Sequence, residues 1–374
     1  MLEQPYSLGA RWIHTMLAPP LENHWINIAG GTVESVSNKP AYTLSVYLGE
    51  NIIIPGVVNA HTHLELSQIE PAPLEVPSRS MTDWVAALLA FRRSSAYDAA
   101  AGIQEGMRFL ELMQSTAAVA DIVPPTLTVN GTPSTEGLCP PLLKNSFAEL
   151  IVWRSELVEE RFARLQHTFG LSPHAPQTVC PALLEKAINQ NVPIAMHLAE
   201  TLEETELLQH HTGPLLEMMR RADPDYDPKS ILLGKRPLDY LQLLSTSPKT
   251  LIIHGNYLDD EELQFLAEHR ETMSVVYCPR SHAYFRHSSY PLRKMLDFGV
   301  RVLLGTDSLA SVPDLSLAEE IKFVMQHHPA IPAETVYRMG TIAGASALDL
   351  PKEFGTIQPG SPARFAVLNV HRTT

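Results

Sequence analysis

Two histidines one residue apart, His61 and His63, close the run Ile52-Ile53-Ile54-Pro55-Gly56-Val57-Val58-Asn59-Ala60. Alternate side chains of a strand share a face, so both imidazoles can converge on one metal ion. Three more apolar runs end in a comparable way: Ile194-Ala195-Met196 in His197, Leu251-Ile252-Ile253 in His254, and Val302-Leu303-Leu304-Gly305-Thr306 in Asp307. Any one of these, taken alone, reads more readily as a packed core histidine or a capping aspartate than as a ligand. Four strands ending in ligand groups are much harder to explain by packing. Imidazole nitrogens with one carboxylate oxygen suit a borderline divalent cation, zinc first, with iron or manganese as alternatives. Glu200 follows His197 by three positions. If the strand turns straight into a loop or helix there, its carboxyl group reaches back over the ion and can relay a proton. The competing reading makes Glu200 one of several acids, with Glu203, Glu204 and Glu206, at a helix N-terminus.

Chemistry of this kind needs elements that bring distant residues together. Short apolar runs at Ala117–Val123, Glu149–Ser155, Gly170–Pro173, Pro193–His197, Thr250–His254, Met273–Cys278 and Val300–Gly305 alternate with segments of helical period. With the run before His61 they make eight strands, the pattern of a (β/α)8 barrel. Helices are expected at Ser80–Arg93, Ala100–Met113, Pro181–Gln190, Asp259–Arg270, Ser316–His328 and Glu334–Ala347. The stretch Leu202–Pro248 is mixed, with helices and loops over the barrel mouth. Both ends of the chain are strand-rich, which predicts one small β-sandwich domain from residues 1–55 and 350–374 around a barrel at 56–349.

Bulk properties narrow the class. With 374 residues, 45% hydrophobic and 18% charged, the chain is an ordinary globular one with room for a barrel and an appendage. A formal charge of −13 argues against a nucleic-acid binder and fits a small neutral or cationic substrate. Cys139, Cys180 and Cys278 lack the C-x-x-C spacing of a thiolate zinc site or a disulfide framework, so a reducing, cytoplasmic setting is expected. No apolar run approaches membrane-spanning length, and the N-terminus has no apolar leader core.

Taken in order, His61-Thr62-His63, His197-Leu198-Ala199-Glu200, Ile252-Ile253-His254-Gly255-Asn256, Tyr277-Cys278-Pro279-Arg280-Ser281-His282 and Leu303-Leu304-Gly305-Thr306-Asp307-Ser308 resemble the amidohydrolase superfamily. Within it they are most similar to the branch of ring deaminases and chlorohydrolases that includes S-adenosylhomocysteine and aminofutalosine deaminases. The resemblance runs from about residue 50 to 310. It implies that His61, His63, His197 and Asp307 bind one metal, with His254 beside it to hold or polarise water. Binuclear members use a carboxylated lysine at the end of the fourth strand; Ser172-Pro173-His174 has none, which favours a mononuclear site. His174 is placed at the substrate, together with Arg280, His282 and Glu65, although Glu65 is also suited to anchoring a ligand histidine. His282 stands where relatives often carry Asn. Ser67 and Arg92 are candidates for the pocket; Trp84 reads equally as mouth or core. His167, His210, His211, His269, His287, His327 and His328 read as surface histidines.

The implied reaction is hydrolytic deamination of a purine-like heterocycle by metal-bound hydroxide, with Glu200, His254 and Asp307 moving protons. The segments His61–Gln68 and Asp83–Arg93 and the element Cys278-Pro279-Arg280-Ser281 look most like aminofutalosine deaminases of menaquinone biosynthesis. The runner-up is a hydrolase expelling chloride or an alkylamine from a triazine-like ring, a reaction that asks less of a proton relay. A third class, a non-catalytic barrel used as a binding module, would have lost ligands, and all are present. Homodimers are common among such barrels, though no interface is legible in the sequence. Substrate choice is expected in the loops Gln68–Ser80 and Asn130–Lys144 and in the insertion after Glu200.

Overall fold

The computed structural model describes residues 4–69, 80–127, 142–166 and 168–369. Cys139, His167 and most of the loops 68–80 and 130–144 lie outside these residues. Five strands open the chain: β1 (Tyr6–Ile13), β2 (Leu21–Ala29), β3 (Thr32–Ser37), β4 (Ser45–Tyr47) and β5 (Ile52–Pro55). They form a mixed sheet in which β4 and β5 lie parallel to β1, and β2 and β3 continue it as an antiparallel meander.

Gly56 then passes the chain to a second sheet of eight parallel strands. These are β6 (Val57–Thr62), β7 (Thr116–Val123), β8 (Leu143–Leu150), β9 (Gly170–Pro173), β10 (Ile194–Leu198), β11 (Thr250–His254), β12 (Met273–Tyr277) and β13 (Val302–Leu304). The sheet runs in chain order and returns on itself through a parallel bridge between Thr62 and Asp307. The result is the expected (β/α)8 barrel. A last strand, β14 (Phe365–Leu368), rejoins the first sheet antiparallel to β5, so both ends of the chain build that sheet.

Alternation along the strands divides the barrel's packing. Val58, Ala60, Ala118, Ala120, Ile122, Phe147, Ala195, Leu251, Ile253, Val276 and Leu303 share the inner cluster. Their neighbours, such as Met196, Ile252, Val275 and Leu304, pack outward against helix residues Leu183, Leu241, Leu263 and Ile321. Strands covered on both faces need apolar residues at nearly every position, which is why they read as runs rather than as alternation.

Three expectations need correction. The third barrel strand lies at Leu143–Leu150, not Glu149–Ser155. Its first half, Leu143-Lys144-Asn145-Ser146, is too polar to advertise a buried strand, and Lys144 is buried only because Asp121 sits beside it. The expected helix Glu334–Ala347 is two helices, Ala333–Met339 and Ile342–Ala347. The break frees the carbonyl of Gly340 to accept from Val58 N–H at 2.9 Å. Short helices at Pro279–Tyr284 and Leu292–Phe298 were not expected. The insertion resolves into helices Leu202–His210, Pro214–Ala222, Pro228–Ile231 and Pro237–Leu244. Among the described residues no helix is long and apolar enough to cross a membrane. Cys180 and Cys278 are buried and free.

Candidate active site

The C-terminal ends of the barrel strands bring the expected ligand groups together. Donor atoms of His61, His63 and Asp307 lie within 4.8 Å of one another, and so do those of His61, His197 and His254. The rings of His61 and His63 stand edge-on at 4.9 Å, and those of His61 and His197 at 5.0 Å. His61 Nε2 is 3.9 Å from Asp307 Oδ1.

All five groups are buried. Burial holds His61, His63 and His197 well below the ordinary imidazole pKa, with His63, Arg92 and His174 respectively the next cause. Neutral imidazoles keep a lone pair for a cation. Both ring nitrogens of His61 and Nδ1 of His63 are buried without a hydrogen-bond partner. Orphaned nitrogens facing a carboxylate are the pattern a divalent cation completes, so this donor set fits a metal.

Asp307 is held by two serines the sequence did not flag. Ser281 Oγ and Ser311 Oγ donate to its Oδ2 at 2.7 and 3.0 Å, leaving Oδ1 towards His61. His197 Nδ1 is 3.1 Å from His174 O, and Tyr290 Oη donates to His254 O at 2.9 Å. Three residues at these strand ends adopt left-handed backbone, Ala199 (φ 54), His254 (φ 70) and Asp307 (φ 66). Side-chain-bearing residues hold that conformation only where surrounding contacts over-determine it.

Glu200 lies before Thr201, which caps helix Leu202–His210, so it stands outside the helix's first turn. Its Oε1 is 3.4 Å from His254 Nε2. Glu204 accepts from Ala199 N–H at 2.6 Å and Glu200 N–H at 3.3 Å, and Asn256 Nδ2 donates to Glu200 O. With 22% of its side chain still open, Glu200 is pushed up to about 8 by burial and then by Asp307. A carboxyl group in that condition carries a proton near neutrality and can deliver it.

His174 reaches the cluster, its ring 5.0 Å from that of His197, and burial lowers it to about 4. Thr178 Oγ1 donates to Ala175 O and lies 2.9 Å from His174 Nδ1. That assigns the proton to Nδ1 and leaves Nε2 as an acceptor.

Other substrate expectations fare differently. Arg280 is buried, with its guanidinium committed to Glu320, Asp314 and the carbonyl of Ser316. Helix Pro279–Tyr284 aims Ser281 at Asp307 and carries Arg280 towards helix Leu317–His327 instead. Both oxygens of Glu65 accept from Arg92 and Tyr97, so Glu65 anchors the residues around the mouth. His282 packs between Tyr277, Tyr290 and His287 rather than among the ligands. His287 and His328 are half-buried rather than surface groups, lying 3.0 Å from Tyr257 Oη and 3.4 Å from Tyr277 Oη. His211 and His269 are also partly covered, while His210 and His327 are exposed as expected.

Trp84 Nε1 donates to Ala310 O at 2.9 Å, laying helix Met81–Arg92 beside the loop after Asp307. Glu149, placed by the sequence at the start of a strand, sits at the end of β8 on the inner side with Phe147. Its carboxylate is 3.8 Å from Arg92. Burial raises it, against the pull of Arg92.

Known proteins resemble this chain to different degrees. A 5-methylthioadenosine/S-adenosylhomocysteine deaminase of Pyrococcus furiosus is 29% identical over 342 residues, spanning 86% of this chain and 76% of that protein. A 5′-deoxyadenosine deaminase of Methanococcus maripaludis is 26% identical over 349 residues, or 87% and 76% of the two chains. The crystal structure of Helicobacter pylori aminofutalosine deaminase with methylthio-coformycin superimposes with a TM-score of 0.79 at 20% identity. It covers 97% of this chain and 91% of that one, and confirms the fold. The amidohydrolase family profile matches residues 52–373, from the strand before the His61–His63 pair to beyond β14, and the chain belongs to the amidohydrolase family.

Proposed function

We propose that the protein is a metal-dependent hydrolytic deaminase that removes the exocyclic amine of an adenine nucleoside. The observation that carries this reading is the Glu200–His254 pair, 3.4 Å apart, set against the His61, His63, His197 and Asp307 cluster. A hydrolysis that expels ammonia needs a nucleophile on one side and a proton donor for ring nitrogen and amine on the other.

His61, His63, His197 and Asp307 would hold one divalent cation, zinc by preference. Such a Lewis acid lowers the pKa of water far enough to supply a nucleophile near neutral pH. Asp307, steadied by Ser281 and Ser311, accepts the proton released from water. Glu200 gives its proton to the ring nitrogen beside the attacked carbon and recovers one from the added hydroxyl as the carbonyl forms, while Asp307 passes the proton it took from water to the departing amine. His254 keeps the carboxyl of Glu200 in place from 3.4 Å. His174 offers Nε2 to a donor on the substrate. Water and the aminated ring thus become the carbonyl form of the ring and ammonia.

The similarity to deaminases of 5-methylthioadenosine, S-adenosylhomocysteine and 5′-deoxyadenosine supports an adenine nucleoside. Aminofutalosine is the narrower choice, on the segments His61–Gln68, Asp83–Arg93 and Cys278–Ser281, and would place the enzyme in menaquinone biosynthesis in the cytoplasm. The test is ammonia release by the metal-replete protein from these four nucleosides, guanine and an aminotriazine. Release from an adenine nucleoside, abolished by chelation, is the expected result. Release of chloride or alkylamine from triazines alone, or no ammonia from any of them, would overturn the reading.

A further inference from the structure

A buried ion pair outside the barrel's inner face has no part in the chemistry above. Asp121 on β7 is fully buried and, alternating with Ala120 and Ile122 of the inner cluster, points outward, away from the ligand groups. Lys144 on β8, also buried, places Nζ 3.5 Å from Asp121 Oδ2 and donates to Ser146 Oγ at 2.8 Å. The other carboxylate oxygen, Oδ1, accepts from the backbone N–H of Leu64 at 2.9 Å.

Leu64 begins a short 3-10 turn, Leu64–Leu66, directly after His63. At this point β6 ends, with His63 at φ −121 and ψ 82, and the chain must leave the sheet without letting the imidazole swing. Helix Ala99–Met113 packs closely against the same turn. A Cβ at Gly102 would stand 2.2 Å from Glu65 O, and one at Gly106 2.4 Å from Ser67 Oγ. The turn is therefore held between two glycines and one carboxylate.

A buried pair of charges rarely repays its own desolvation, so stability is a weak reason for Lys144 and Asp121 to lie there. We propose that Asp121, held by Lys144, is a positioning residue: it fixes the turn after His63 and so sets the affinity and geometry of the metal site. This rests on His61 and His63 being metal ligands. Groups that orient ligands from behind typically account for about 10- to 100-fold in metal affinity.

The test is Co2+ titration of metal-free protein, read by dissociation constant and visible absorption, alongside thermal unfolding. Asp121→Ala is expected to weaken Co2+ binding about 10- to 100-fold and to change the absorption bands. The double variant Asp121→Asn with Lys144→Met keeps an acceptor for Leu64 N–H without either charge, and should restore affinity to within a few-fold of wild type. If Asp121→Ala does not fold, Asp121→Leu with Lys144→Met takes its place, which removes the acceptor of the Leu64 N–H without stranding a buried charge and should weaken Co2+ in the same sense. A folded variant lacking this hydrogen bond, yet with unchanged affinity and absorption, would overturn the proposal and leave the pair a packing feature. Wild-type protein that binds no Co2+ would overturn the metal-site reading, and this inference with it.

Discussion

The two ends of the barrel are built from the same strands and by opposite rules. At the closed end, helix Ile342–Ala347 and the residues after it place Ala345, Leu348, Leu350 and Phe354 against Val58 and Ala118. Left-handed backbone occurs there too, at Asp349 (φ 49), but as a normal helix stop, with Leu350 N–H returning to Ala345 O. At the open end, Ala199, His254 and Asp307 take the same conformation at or just past strand ends, beside buried groups that lack partners. The open end sets aside a local preference that Asp349 keeps, as expected where side chains are arranged for chemistry.

Substitutions at the two ends should therefore part company. The largest effect belongs to His63→Ala, which should lose both bound metal and ammonia release, measured by elemental analysis and a coupled assay. If metal content stayed at wild-type level, His63 would be no ligand. Glu200→Gln should retain metal while turnover falls about 10²- to 10⁴-fold. Equal loss of metal would make Glu200 structural. At the closed end, Leu348→Ala should cost about 2–5 kcal/mol of unfolding free energy with KM and metal content unchanged. A shifted KM would show that the two ends are coupled.

The smallest effect concerns pH. Burial, partly offset by two backbone N–H groups, pushes Glu204 up to about 8 from a model-peptide value of 4.5. The folded state then binds this proton more tightly than the unfolded chain. Stability should thus fall as pH rises from about 4.5 to about 8. Urea midpoints across that window should fall less steeply in Glu204→Gln. A parallel decline in both proteins would assign the pH dependence elsewhere.

Much of the fold was legible in the sequence because a doubly covered strand ending in a polar group is written contiguously, as in Leu251–His254. The barrel came from such runs, and so did the expectation that His61, His63, His197, His254 and Asp307 meet at one place. Glu149 did not. The polar half of β8 hid the strand, and the misplaced start put Glu149 at the wrong end of it. Arg280 was misplaced because one short helix decides which of two adjacent residues faces Asp307, and six residues carry no readable period. Ser281 and Ser311 carry no signal, since a serine that orients a carboxylate looks like any other serine. The Lys144–Asp121 pair was invisible because its partners lie 23 residues apart on different strands.

The seam of the barrel has a consequence for how the molecule comes into being. β6 and β13 meet through Asn59 Nδ2 donating to Thr306 Oγ1 and Thr62 Oγ1 donating to Asp307 O, contacts that span 247 and 245 residues of chain. A growing polypeptide that has not reached β13 already contains every imidazole of the cluster but neither the carboxylate nor the edge that closes the cylinder. Closing so long a loop is entropically the most demanding step available to the chain. Until it happens, the site lacks its carboxylate, and Asn59 and Thr62 lack these partners across the seam.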